Sequence, residues 1–135
     1  MKRPELLFEV VIPGRVGIKK NSRRIFKNDY GQTKNIPSVN FKNWESVAIA
    51  FVHQAMRKQR LLKPIEGPVS AYFEFHFKNQ RALPDVSNCV EGPQDVLQAV
   101  GVLQNDRQID HVEAKRAVCG VEQTIVKLFK RKEKK

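Results

Sequence analysis

Eight apolar residues between Phe41 and Met56 (Phe41, Trp44, Val47, Ala48, Phe51, Val52, Ala55 and Met56) recur at spacings of three and four. That period predicts one long helix, capped by Ser38 or Asn40 and running to about Gln59, with an aromatic stripe facing a core. A stripe of this kind needs a partner surface, and the flanking segments supply strands. Leu6 to Ile12 is apolar and β-branched and ends at Pro13-Gly14. Gly67-Pro68 introduces Val69 to Phe77, whose Tyr72, Phe73, Phe75 and Phe77 suit a pleated, partly buried surface. Val112 to Cys119 and Val121 to Phe129 read as two further strands around Gly120. The order is strand, long helix, strand, short helix, strand, strand. It predicts a single α+β domain with one long and one short helix packed on a mixed sheet.

Two segments fall outside this frame. Residues 14 to 37 are polar and basic, with Asp29-Tyr30-Gly31 marking a turn between short extended arms. The end of the chain, 130–135, is too charged to pack and reads as a basic, disordered tail after a domain spanning 1–129.

Charge narrows the function. Twenty-five Lys and Arg against fourteen Asp and Glu give a net charge of +11 in 135 residues. Such a protein attracts polyanions, and nucleic acid fits best because each phosphate contact releases a counterion. Lys19, Lys20, Arg23 and Arg24, ahead of the long helix, are the candidates for DNA contact. No apolar run approaches the roughly 20 residues of a membrane span, and the first residues do not form a signal peptide, so a cytoplasmic protein is expected. Cys89 and Cys119 lack Cys-x-x-Cys spacing, and His53, His76 and His111 are scattered. Two buried, reduced thiols are expected rather than a zinc site.

Residues 83–109 carry the chemistry. Asp85, after Pro84, sits where a loop meets the next helix, and Asp106 lies in a polar turn beyond Gly101. Each alone fits an ordinary turn or cap residue. Between them Gly92-Pro93 favours a helix starting at Pro93 and stopping at Gly101, with Val86 to Gly92 irregular. The alternative is a distorted first turn capped by Ser87 or Asn88, with Glu91 closing a capping box. A helix of two or three turns spans about 10–15 Å, short enough for the return loop to bring Asp106 back towards Asp85. Converging carboxylates in a basic protein suggest Mg²⁺ held against a phosphodiester.

Asp85-Val86-Ser87-Asn88, the run Asp95-Val96-Leu97-Gln98-Ala99-Val100-Gly101-Val102-Leu103, and Asn105-Asp106-Arg107-Gln108-Ile109 resemble the RusA family of Holliday junction resolvases. The family pattern is approximately Asp-x-Asp-Asn, then a Lys, then Asp-Ala-Leu, a Gly, and Asp-Asp-x-Gln followed by Ile or Val. The resemblance implies a homodimeric endodeoxyribonuclease of recombination and repair, typically encoded by phages or prophages. It would act on four-way DNA junctions and depend on Mg²⁺, with Mn²⁺ as a substitute. Asp85 matches the first catalytic and metal-binding carboxylate, and Asp106 the last. Asn88 matches the Asn beside the acidic pair, and Asp95 the helical Asp.

The chain departs from the pattern twice. Ser87 stands where the family has an acidic metal ligand, and Glu91 where it has a lysine required for catalysis. One acid is lost and one gained within five positions. An irregular Val86 to Gly92 segment would let Glu91 turn back towards Asp85 as a replacement catalytic carboxylate, with Ser87 binding the ion through its hydroxyl or a water. The competing readings are a catalytically weakened or inactive junction-binding protein and an RNA-binding protein.

Overall fold

The computed structural model describes residues 4–19, 23–27, 33–37 and 39–131. The elements are β1 (Leu6–Pro13), β2 (Arg23–Lys27), β3 (Thr33–Pro37), α1 (Val39–Lys58), β4 (Val69–Phe77), α2 (Val86–Val100), a 3₁₀ turn (Asp106–Gln108), β5 (Ile109–Val118) and β6 (Gln123–Lys130). Four strands form one sheet in the order β1-β6-β4-β5, and β2 and β3 pair separately as an antiparallel hairpin. Within the sheet β4 and β5 run parallel and the other pairings are antiparallel. The domain is therefore α+β with a mixed sheet, as the element order predicts. Asp29-Tyr30-Gly31 and Ser38 lie outside the described residues.

Period-two alternation sorts the two faces of the sheet. Phe8, Val10 and Ile12 of β1, the odd-numbered residues of β4, and Thr124, Val126 and Leu128 of β6 are buried. They form the core with Phe41, Trp44, Ala48 and Val52 of α1 and with Cys89, Val96 and Leu97 of α2. The stripe on α1 is thus core, except that Val47 and Phe51 stay 40% and 38% exposed. Gln59, just past α1, closes the free edge of β1: its amide donates to Glu9 O at 2.7 Å and accepts from Glu9 N at 3.1 Å.

Helix α2 corrects the expectation of a start at Pro93. It runs unbroken from Val86 to Val100 with Pro93 inside it. Proline removes one helical hydrogen bond, yet Gly92 and Pro93 are both buried. Gly92 lies so close to α1 that an added Cβ would stand 3.0 Å from Trp44 Cζ3 and 3.1 Å from Gly17 O. Close packing of the two helices at this point keeps the turn helical despite the missing bond. At the other end Gly101 adopts φ +94°, a left-handed conformation that suits glycine, and Val102 N donates to Leu97 O at 2.9 Å.

Two further expectations change. Cys89 is buried, but Cys119, in the turn leaving β5, is exposed. Of the basic tail, Lys130 closes β6 and Arg131 Nε pairs with Asp110 Oδ1 at 2.8 Å, while 132–135 lie outside the described residues. No helix among the described residues is long and apolar enough to cross a membrane.

Candidate active site

The connection from β4 to α2 is held by two arginines from distant parts of the chain. Arg15, in the segment after β1, donates from Nη2 to Ala82 O at 2.6 Å, and its guanidinium lies 5.1 Å from the centre of the Phe77 ring. Arg116, on β5, donates from Nη1 to Pro84 O at 2.5 Å. Ala82 has φ +49°, a left-handed conformation that costs an alanine about 1–2 kcal/mol. The arginine contacts help to hold that strained loop.

Asp85 follows immediately, as the N-cap residue of α2 with extended backbone. Its side chain makes no capping hydrogen bond and is exposed, and among the described residues it forms no ion pair. The carboxylate is therefore not occupied by the turn-and-cap role that a lone Asp usually has. Cys89, in the first turns of α2, lies within electrostatic reach of Arg15, Arg116 and Asp85. Burial pushes its thiol up to about 11; the two arginines oppose that shift and Asp85 adds to it.

Because α2 is regular, Ser87, Asn88 and Glu91 follow helical spacing. Ser87 and Glu91 are exposed and Asn88 is half-buried. Glu91 lies six residues along from Asp85, about 9 Å of helical rise, so no irregular segment folds it back towards that carboxylate. Asp95, a turn further, meets Lys19 Nζ at 2.9 Å. That contact ties the segment after β1 to α2. Lys20 lies outside the described residues; Arg23 and Arg24 open β2.

Asp106 is fixed by a separate set of contacts. Asn105 caps the 3₁₀ turn by accepting from Arg107 N at 2.9 Å. Gln108 Oε1 accepts from Gln104 N at 2.8 Å and Asn105 N at 3.1 Å, and its Nε2 donates to Ile65 O at 2.7 Å and Gly67 O at 3.0 Å. Asp106 N donates to Gln98 Oε1 at 3.3 Å, so this turn sits against the last turn of α2. Asp106 is exposed.

The two aspartates therefore lie at opposite ends of α2, whose 15 residues span about 22 Å at 1.5 Å per residue. The sheet gives the same answer. Asp85 leaves the C-terminal end of β4, whereas Asp106 precedes Ile109, which pairs with Val69 at the N-terminal end of β4. Within one protomer the carboxylates do not converge, because the helix between them has about four turns instead of two or three. Among the described residues no three His, Cys, Asp or Glu side chains are grouped to hold a metal.

One polar cluster has no counterpart in the sequence reading. On the sheet face away from the helices, Tyr72 donates to Glu74 Oε1 at 2.5 Å, and Lys115 Nζ approaches the same oxygen at 3.2 Å. His76 Nε2 contacts Glu74 Oε2, and Gln123 Nε2 meets His76 Nδ1 at 2.9 Å. The bonds from Tyr72 and His76, with Lys115 adding to them, hold the Glu74 carboxyl well below its ordinary value of 4.5, at about 2. Alternation along β4 is the signal that could have placed Tyr72, Glu74 and His76 on one face. Arg15 and Arg116 belong to no motif, and only the fold brings them to the β4–α2 loop.

The family described as endodeoxyribonuclease RusA matches residues 16–128. No curated protein matches the chain.

Proposed function

Because the chain belongs to the RusA endodeoxyribonuclease family, we propose that it resolves four-way (Holliday) DNA junctions by hydrolysing phosphodiester bonds. Its place of action would be the cytoplasm of a bacterial or phage-infected cell. The observation that carries this reading is the free carboxylate of Asp85, exposed at the head of α2 without a cap bond or an ion pair among the described residues.

Asp85, Ser87 and Asp106 offer only oxygen donors, which suit Mg²⁺, with Mn²⁺ as a substitute. Within one protomer they are too far apart to share an ion, so the donor set fits only when two copies combine. A homodimer related by a twofold axis across α2 and β5 would bring Asp85 and Ser87 of one protomer to Asp106 of the partner subunit, once at each end. Strand β5 favours such a pairing, since it is the outer strand of the sheet, ten residues long, with Val112 and Val118 exposed. An edge strand of this length is a ready template for antiparallel pairing with its own copy. The divalent ion would lower the pKa of the attacking water and stabilise the leaving oxygen. The protein's own part is to fix the carboxylates, with the β4–α2 loop clamped by Arg15 and Arg116 and the Asp106 turn clamped by Gln108. Two sites on one dimer suit a junction, whose equivalent strands are symmetrically related. Shape and phosphate placement select the substrate, because phosphate contacts position the protein without reading sequence.

A synthetic four-way junction tests the reading. Nicks that require Mg²⁺, are abolished by EDTA and disappear in Asp85→Asn would support it. Retardation of the junction without nicks would make the protein a junction binder. No preference for the junction over structured RNA would remove branched DNA as its target.

A further inference from the structure

The sequence points to Lys19 as a DNA contact, but Lys19 reaches Asp95 at 2.9 Å. The two arginines beside Asp85 are placed differently. Each guanidinium donates to a backbone carbonyl, Ala82 O or Pro84 O, and among the described residues neither meets a carboxylate. Both side chains belong to exposed residues, and the carbonyls they hold are two residues apart, at most about 7 Å along the chain. A carbonyl uses one or two of the five N–H donors of a guanidinium, leaving others for the oxygens of a phosphate. An exposed carboxylate alone would repel a phosphodiester. Two cations held against the same loop, neither paired with a carboxylate among the described residues, reverse that field at short range.

We propose that Arg15 and Arg116 are the phosphate-contacting pair of this site, gripping the DNA backbone beside Asp85. The inference rests on the nuclease reading for its substrate, but its test has a separate readout. Glutamine at either position removes the charge and shortens the side chain, whereas lysine keeps the charge but cannot reproduce the guanidinium fork. Arg116→Gln and Arg15→Gln together with the Lys variants therefore separate phosphate contact from loop support. Junction binding by the full-length protein would be measured against salt in Mg²⁺-free buffer. Each Gln variant should flatten the plot of log binding constant against log salt by about 0.9, the loss of one phosphate contact. Arg116→Lys and Arg15→Lys, which keep the charge, should retain the wild-type slope. Slopes unchanged in both Gln variants, with wild-type melting temperatures, would overturn the proposal even if the wild type nicks junctions. Flattened slopes in a protein that never nicks would leave the proposal standing and defeat the nuclease reading. If a Gln variant fails to fold, a Lys variant with a flattened slope would count equally against it.

Discussion

Asp85 and Asp106 bracket helix α2, one at its N-cap position and the other joined through its amide to Gln98 in the last turn. Both carboxylates are exposed and neither forms an ion pair among the described residues, so removing them should cost function and not stability. Asp85→Asn and Asp106→Asn are expected to lower the nicking rate by at least about a hundredfold while the junction is still bound. Asp85→Ala should shift stability by less than about 0.5 kcal/mol, unlike the loss of about 1 kcal/mol for a true N-cap. Chemical denaturation of the variants beside a junction-nicking assay checks both statements.

Gly92 is the point of closest approach between α2 and α1. A methyl group there would lie 3.0 Å from Trp44 Cζ3 and 3.1 Å from Gly17 O, one a ring atom and the other backbone. Gly92→Ala is predicted to destabilise by about 1–3 kcal/mol through overpacking. A denaturant titration with an unchanged midpoint would contradict this.

Gln108 makes four hydrogen bonds that hold the Asp106 turn against the segment before β4. Gln108→Ala should cost about 1–3 kcal/mol and reduce nicking further than the stability loss explains, because the turn carrying Asp106 is no longer fixed. Amide hydrogen exchange at Gln104, Asn105 and Ile109 should accelerate in the variant.

Glu74 gives a pH signature. Its folded pKa, about 2, lies below its ordinary 4.5, held there by Tyr72 and then His76. The unfolded chain therefore binds the proton first as pH falls. The stabilisation is fully present above about pH 4.5 and disappears as pH drops towards 2. In Glu74→Gln the stability deficit relative to wild type should be on the order of 2 kcal/mol near pH 7 and should vanish near pH 2. Unfolding curves of both proteins across that range provide the check.

The fold was legible wherever periodicity was strong. The stripe from Phe41 to Met56 and the alternation of Val69 to Phe77 predict α1 and β4 almost to the residue. At Gly92-Pro93 local proline chemistry argues for a break in α2, while the opposing force is the packing of Gly92 beneath Trp44, a contact 48 residues away in sequence. A helix broken there would be short enough for Asp85 and Asp106 to meet within one chain; the unbroken helix is not. The aspartates themselves stand out through their motifs. Arg15 and Arg116 do not, since they reach the same loop from positions 101 residues apart.

A site shared between protomers makes a distinctive prediction for a mixed dimer. Subunits carrying Asp85→Asn and subunits carrying Asp106→Asn, with different tags, would be co-expressed, and the heterodimer would be purified and given a four-way junction with Mg²⁺. Each mutant alone should be inactive. In the heterodimer one end combines both substitutions and the other combines Asp85 with Asp106 of the partner subunit, so single nicks should return without paired cuts. A heterodimer as inactive as either mutant, beside an active wild-type dimer, would rule out the shared site.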